Sequence, residues 1–130
     1  MDNKYIGIPY KLHGRASTGC DCYGLVYLYL ADHGYTLPKY DFSYTLEQAE
    51  HEITVERALL LGERIDTPEE CAIVLLYMGE YPVHMGVYTE NGILHASSTK
   101  DSIFEPIYAR SLQRFTKMEF YSVSKSYCTT

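Results

Sequence analysis

The stretch Gly19-Cys20-Asp21-Cys22-Tyr23-Gly24, with the apolar run Leu25-Val26-Tyr27-Leu28 behind it, decides how this chain is read. A loop turns into a helix here. Asp21 is a helix-capping residue type, and Gly34, after Asp32-His33, is a stop signal. Between them Leu25, Val26, Tyr29 and Leu30 fall on one broad face at helical spacing, which predicts a core helix starting at Cys22. A thiol in the first turn of a helix meets free backbone N–H groups and the positive end of the helix dipole, both of which favour a thiolate. Cys22 is therefore the candidate nucleophile, and Cys20 stays in the loop.

Working outward, residues 3–19 read as irregular, with Ile6-Gly7-Ile8-Pro9-Tyr10 as an apolar anchor and His13-Gly14-Arg15 and Ser17-Thr18-Gly19 as loop composition. Pro38 and residues 39–43 form an aromatic-rich connection, and residues 46–61 have the pattern of a second helix with a charged, solvated face. The period then changes from helical to alternating. Strands are predicted at 72–77, 83–89, 93–97, 103–108 and 118–123, with Glu90-Asn91-Gly92 as a hairpin turn. Helices first and an antiparallel meander second define an α+β domain, expected to span residues 1–130 as one unit.

Composition removes several function classes. A net charge of −6 disfavours nucleic acid as a partner, because phosphate binding needs clustered Lys and Arg. No apolar run is long enough to span a membrane. The segment Met1-Asp2-Asn3-Lys4 lacks the apolar core of a secretory signal, so export by the general secretory route is not expected. Four cysteines at uneven spacing, without such a signal, are expected to be free thiols. Fourteen tyrosines without a tryptophan fit half-buried sheet positions and interfaces.

A cysteine nucleophile needs a base and an orienting group. His33 and His51 fall on polar helix sides, and His13 lies in a loop. His84 and His95 sit on the two strands joined by the Asn91-Gly92 turn, where one can serve as base and the other as its orienter. Cys20, Cys22, His84 and His95 are also zinc-ligand types, but Cys-x-Cys followed by a distant histidine pair is not a usual zinc spacing. Neither a metal nor a cofactor is expected.

Taken together, Gly7-Ile8-Pro9-Tyr10, Gly14-Arg15, Gly19 to Val26, Leu37-Pro38, His84-Met85-Gly86-Val87-Tyr88, Asn91-Gly92 and His95-Ala96 resemble the NlpC/p60 cell-wall cysteine peptidases, which have a papain-like fold. The resemblance implies Cys22 as nucleophile, His84 as general base and acid, and His95 as the residue orienting the imidazole. It implies an oxyanion role for Tyr10 and for the Cys22 backbone N–H, with Asp21, Tyr23 and Arg15 as weaker substrate-contact candidates. The implied substrates are amide bonds in peptidoglycan stem peptides, often from D-Glu to a diamino acid.

Gly14-Arg15, the bulky Tyr23 and the closing Met118-Glu119-Phe120-Tyr121 are similar to the small peptidases of phage and prophage tail modules. That similarity implies synthesis in the cytoplasm, delivery to the envelope within a tail, and other tail-tip proteins as partners. A structural tail-tip subunit with the same fold, and an effector aimed at the wall of rival cells, are the alternative readings. The chain departs from the family pattern where a Gly-Asp-Leu-Val strand start is replaced by Glu70-Cys71-Ala72-Ile73-Val74.

Overall fold

The computed structural model describes residues 2–37, 61–97 and 99–129 of the chain. The expected second helix at 46–61 lies outside the described residues except for Leu61, which begins a strand rather than ending a helix, and the connection at 38–43 and His51 also lie outside them.

Two short strands, β1 (Arg15–Ala16) and β2 (Gly19–Cys20), pair antiparallel just before helix α1 (Cys22–Ala31). The helix begins where the sequence places it. Asp21 is its cap, accepting the Gly24 N–H at 2.7 Å. The helix ends at Ala31, three residues short of Gly34, whose φ of 95° lets the Tyr35 N–H return to the Leu30 carbonyl at 2.9 Å.

The main sheet holds β3 (Leu61–Ile65), β4 (Ile73–Met78), β5 (Tyr81–Thr89), β6 (Gly92–Ser97), β7 (Lys100–Pro106) and β8 (Lys117–Val123), in the spatial order β3-β8-β4-β5-β6-β7. Only β4 to β7 form the expected meander. The last strand does not add beyond β7 but returns to the far side of β4, pairing Val74 with Phe120, and β3 pairs with it in turn. The edge of β7 is covered by the N-terminal segment, where the Gly7 N–H bonds the Ser102 carbonyl and the Ser102 N–H bonds that of Ile8.

The hairpin between β5 and β6 is tighter than the sequence suggests. Thr89 pairs with Gly92, so the two loop residues are Glu90 and Asn91, both left-handed at φ 47° and 62°. Gly92 is needed for a different reason. A Cβ there would come within 2.4 Å of the Phe104 ring on β7.

Alternation sorts the sheet into two faces. Ile73, Leu75, Met85, Val87, Leu94 and Ala96 join Leu25, Val26, Tyr29 and Leu30 of α1 in the main core. Val74, Leu76 and Ile93 join Leu112, from the 3-10 turn Arg110–Arg114, in a smaller core on the other face. α1 packs on β5 and β6, and near its C-terminal end Tyr29 donates to the Thr89 hydroxyl at 3.0 Å. Among the described residues no helix is long and apolar enough to cross a membrane.

Candidate active site

The loop ahead of α1 is held by the Asp21 carboxylate. Besides the Gly24 N–H, Oδ1 accepts from Arg15 Nη1 at 2.7 Å, and Oδ2 accepts from the His13 N–H at 2.9 Å. Asp21 is buried and the Arg15 side chain is only 9% exposed, and the Arg15 guanidinium lies 4.8 Å over the ring of Tyr23, which is fully buried. Asp21, Arg15 and Tyr23, the weaker substrate candidates, thus form one structural unit that fixes the start of the helix. Gly24 is required by close approach, since a Cβ there would stand 1.9 Å from the Gly14 carbonyl oxygen.

Cys22 sits in the first turn of α1 with 5% exposure. Cys20, in β2, is fully buried, and burial followed by the Asp21 charge pushes its thiol up to about 12. It is a core thiol. Tyr10 is half-buried against the α1 core, and its backbone forms a parallel bridge with Cys20, which brings it beside the loop that carries Cys22.

The two hairpin histidines do meet. His84 on β5 is the diagonal neighbour of His95 on β6, whose direct partner is Gly86. The ring nitrogens His84 Nε2 and His95 Nδ1 are 2.8 Å apart, with the rings edge to face at 73°. Their register places them on the strand face that alternates with Met85, Val87 and Leu94. The β4–β5 ladder pairs Leu76 with His84 but Tyr77 with Pro82, so Val83 is an extra residue directly before His84. Such a bulge bends the strand and re-aims the adjoining side chain. His84 stacks on Phe115 at 6.1 Å. Burial, then His95 and Arg114, push its imidazole well below the ordinary histidine value, so it rests neutral and able to accept a proton.

One residue of this cluster was not expected from the sequence. Glu105, on β7, is 6% exposed, and its Oε1 lies 2.6 Å from His95 Nε2. Its Oε2 accepts from the Ser111 hydroxyl, and Arg114 Nη2 stands 3.9 Å from Oε1. Among the described residues, His33 and His13 stay apart from this cluster. His33 Nδ1 faces the Tyr29 carbonyl at 2.6 Å with its ring stacked on Tyr29, and the His13 backbone serves the Asp21 carboxylate.

A thiol at the start of a buried helix, packed on an antiparallel sheet that carries a buried histidine pair, defines an α+β domain of papain-like design. The comparisons with known proteins agree. The model of the NlpC/P60 family matches residues 7–120, and the chain belongs to that family, whose members are cysteine peptidases and hydrolases.

Among solved structures, the NlpC/p60 domain of the peptidoglycan hydrolase SagA superposes with a TM-score of 0.55 at 20% identity, over 90% of this chain and 89% of that one. NlpC1 from Trichomonas vaginalis gives 0.60 at 15% identity, over 90% of this chain and 39% of that one. The P60 domain of an antigen from M. avium subspecies paratuberculosis gives 0.52 at 19% identity, over 93% of this chain and 87% of that one. At these identities the likeness is one of fold. None of the curated proteins matches the chain at a significant level.

Proposed function

We propose that the protein is a cysteine hydrolase that opens amide bonds in peptidoglycan stem peptides, with Cys22 as nucleophile, His84 as general base and acid, and His95 as its orienting residue. The observation that carries this reading is the buried His84–His95 contact at 2.8 Å, beside the Val83 bulge and on the face of the sheet that carries Leu76 and meets Phe115. With His84 Nε2 engaged by His95, Nδ1 is the nitrogen that serves the thiol.

In the first step the Cys22 S–H proton passes to His84 while Sγ attacks the amide carbonyl carbon. The negative charge that develops on the carbonyl oxygen is stabilised by the Cys22 backbone N–H, with the Tyr10 hydroxyl as a second donor. Collapse of the tetrahedral intermediate breaks the C–N bond, and the imidazolium returns its proton to the departing amine. A thioester on Cys22 remains. Water then attacks it, gives one proton back to His84, and the acid product leaves as the thiol is restored.

Membership of the NlpC/P60 family supports the substrate class, and within it the bond from D-Glu to a diamino acid is the proposed target. Delivery within a phage or prophage tail is also part of the proposal, supported by the Gly14-Arg15, Tyr23 and Met118–Tyr121 similarities. Incubating purified muropeptides with the protein should yield new fragments by mass spectrometry, and the Cys22→Ala variant, still folded, should yield none. Equal cleavage by both would refute the assignment. Mass spectrometry of purified virions tests delivery, because the chain should be recovered among the tail proteins.

A further inference from the structure

Behind the histidine pair lies a carboxylate that the proposed chemistry does not use. We propose that Glu105 is a positioning residue of this site: through His95 it selects the tautomers of both histidines and balances the imidazolium that forms on His84. The inference rests on the reading of Cys22 and His84 as nucleophile and base.

The argument is a donor count. An ionised carboxylate only accepts, so at 2.6 Å from Glu105 Oε1 the His95 Nε2 must carry a proton. A neutral imidazole has one donor and one acceptor nitrogen, which makes His95 Nδ1 an acceptor. His84 Nε2, 2.8 Å away, must then be the donor. That leaves the lone pair of neutral His84 on Nδ1. The chain from Glu105 through two rings thus fixes which nitrogen of His84 takes the thiol proton. Without it, His95 can adopt the other tautomer and present an N–H toward His84.

The charges support a second role. His84 faces His95 from β6 and Phe115 from the loop after the 3-10 turn, with Arg114 from that turn close enough to oppose a second positive charge. Glu105 faces His95, the Ser111 hydroxyl and Arg114. Its negative charge offsets that opposition when His84 becomes imidazolium. Only the Cys22 proton moves in this step, to His84 Nδ1, while the Nε2 protons of both rings stay in place. Glu105 and His95 are both buried, so their interaction is poorly screened by water or salt.

The test is the rate of Cys22 alkylation by iodoacetamide between pH 4 and 10, read by peptide mass spectrometry, with no peptidoglycan substrate needed. Wild type should react with a midpoint below the ordinary thiol value of about 8.5. Glu105→Gln can still accept from His95 but lacks the charge, and its midpoint should rise by about one pH unit or more. Glu105→Ala should raise it at least as far. In wild type, 1H–15N correlation of the histidine rings should show the proton of His95 on Nε2.

A wild-type Cys22 that behaves as an ordinary thiol would overturn the nucleophile assignment, and this inference with it. An activated wild type whose profile is unchanged in Glu105→Gln would overturn the role of Glu105 alone. Where the variants fail to fold, a His95 protonated on Nδ1 rather than Nε2 in wild type is by itself decisive against the proposal.

Discussion

Replacing Asp21 by alanine should cost this protein a large share of its stability, because a single carboxylate there supports three separate groups. The side chain accepts from the Gly24 N–H, from the His13 N–H and from Arg15 Nη1, all at 2.7–2.9 Å. Loss of a helix cap costs about 1 kcal/mol. Removing one partner of a buried ion pair costs about 3–5 kcal/mol, since the other charge is left without compensation. Arg15 and Asp21 are 9% and 2% exposed, so solvent screening does little to reduce that figure. A loss of about 4 kcal/mol is the working value, against a total of about 5–15 kcal/mol for a typical domain.

Unfolding entropy of about 2.1 cal/mol/K per residue converts that loss into a fall in Tm of roughly 15 °C for a domain of this size. The assay is thermal unfolding followed by circular dichroism at 222 nm, with urea midpoints as a second measure. Asp21→Asn, which keeps an oxygen for the Gly24 N–H but drops the charge facing Arg15, should fall between wild type and Asp21→Ala. A decrease below about 3 °C for Asp21→Ala would show that the carboxylate does not organise the helix start, and the reasoning from cap and ion pair would be wrong.

Two further outcomes are expected. Tyr77, Tyr121 and Arg64 hold the Glu119 carboxyl below the usual carboxylate range, with the Tyr77 hydrogen bond the largest cause. Its contribution is therefore present above the unfolded carboxylate value, about 4.3, and is lost as pH falls through the lower folded value. Glu119→Gln should flatten the acid side of a plot of urea midpoint against pH between 7 and 3, whereas parallel profiles would exclude the linkage. Cys20, with its thiol raised to about 12 by burial, should resist iodoacetamide at neutral pH in the folded protein. Cys20→Ala should leave the alkylation profile of Cys22 unchanged, and a shift would mean that the two thiols act together.

The sequence carries local features well and pairings at a distance poorly. α1 was legible because its cap, its apolar face and its terminating glycine all lie within residues 21–34. The β5–β6 hairpin was legible for the same reason, down to the proximity of His84 and His95, with only the turn displaced by one residue. The return of β8 to β4 was not, since nothing near Met118 signals that Phe120 pairs with Val74. Neither was the strand β3, whose partner β8 is more than fifty residues away in the chain.

Glu105 shows the same limit inside the site. It reads as one charged residue in the apolar strand Ile103-Phe104-Glu105, and its contact with His95 needs the register of a second hairpin. That register slips between His95 and Ser97, so counting back from the turn does not recover it. A lone carboxylate on the same alternating face as Ile103, the partner of His95, was the available signal. Cys20 reads as a loop residue because it precedes Asp21, the cap of the helix that starts at Cys22. It is held between β1, whose Arg15 pairs with it, and the Pro9–Lys11 segment, which bonds its backbone N–H and carbonyl.

The most direct measurement is the mass of the protein during turnover of a stem peptide containing the D-Glu to diamino acid amide, quenched in acid and digested. The expected result is a thioester adduct, with the mass of the acyl portion, on the peptide that carries Cys22, absent from the Cys22→Ala variant together with cleavage. Cleavage that proceeds with the adduct on another residue, or in the Cys22→Ala variant, would contradict the assignment of Cys22 as the nucleophile.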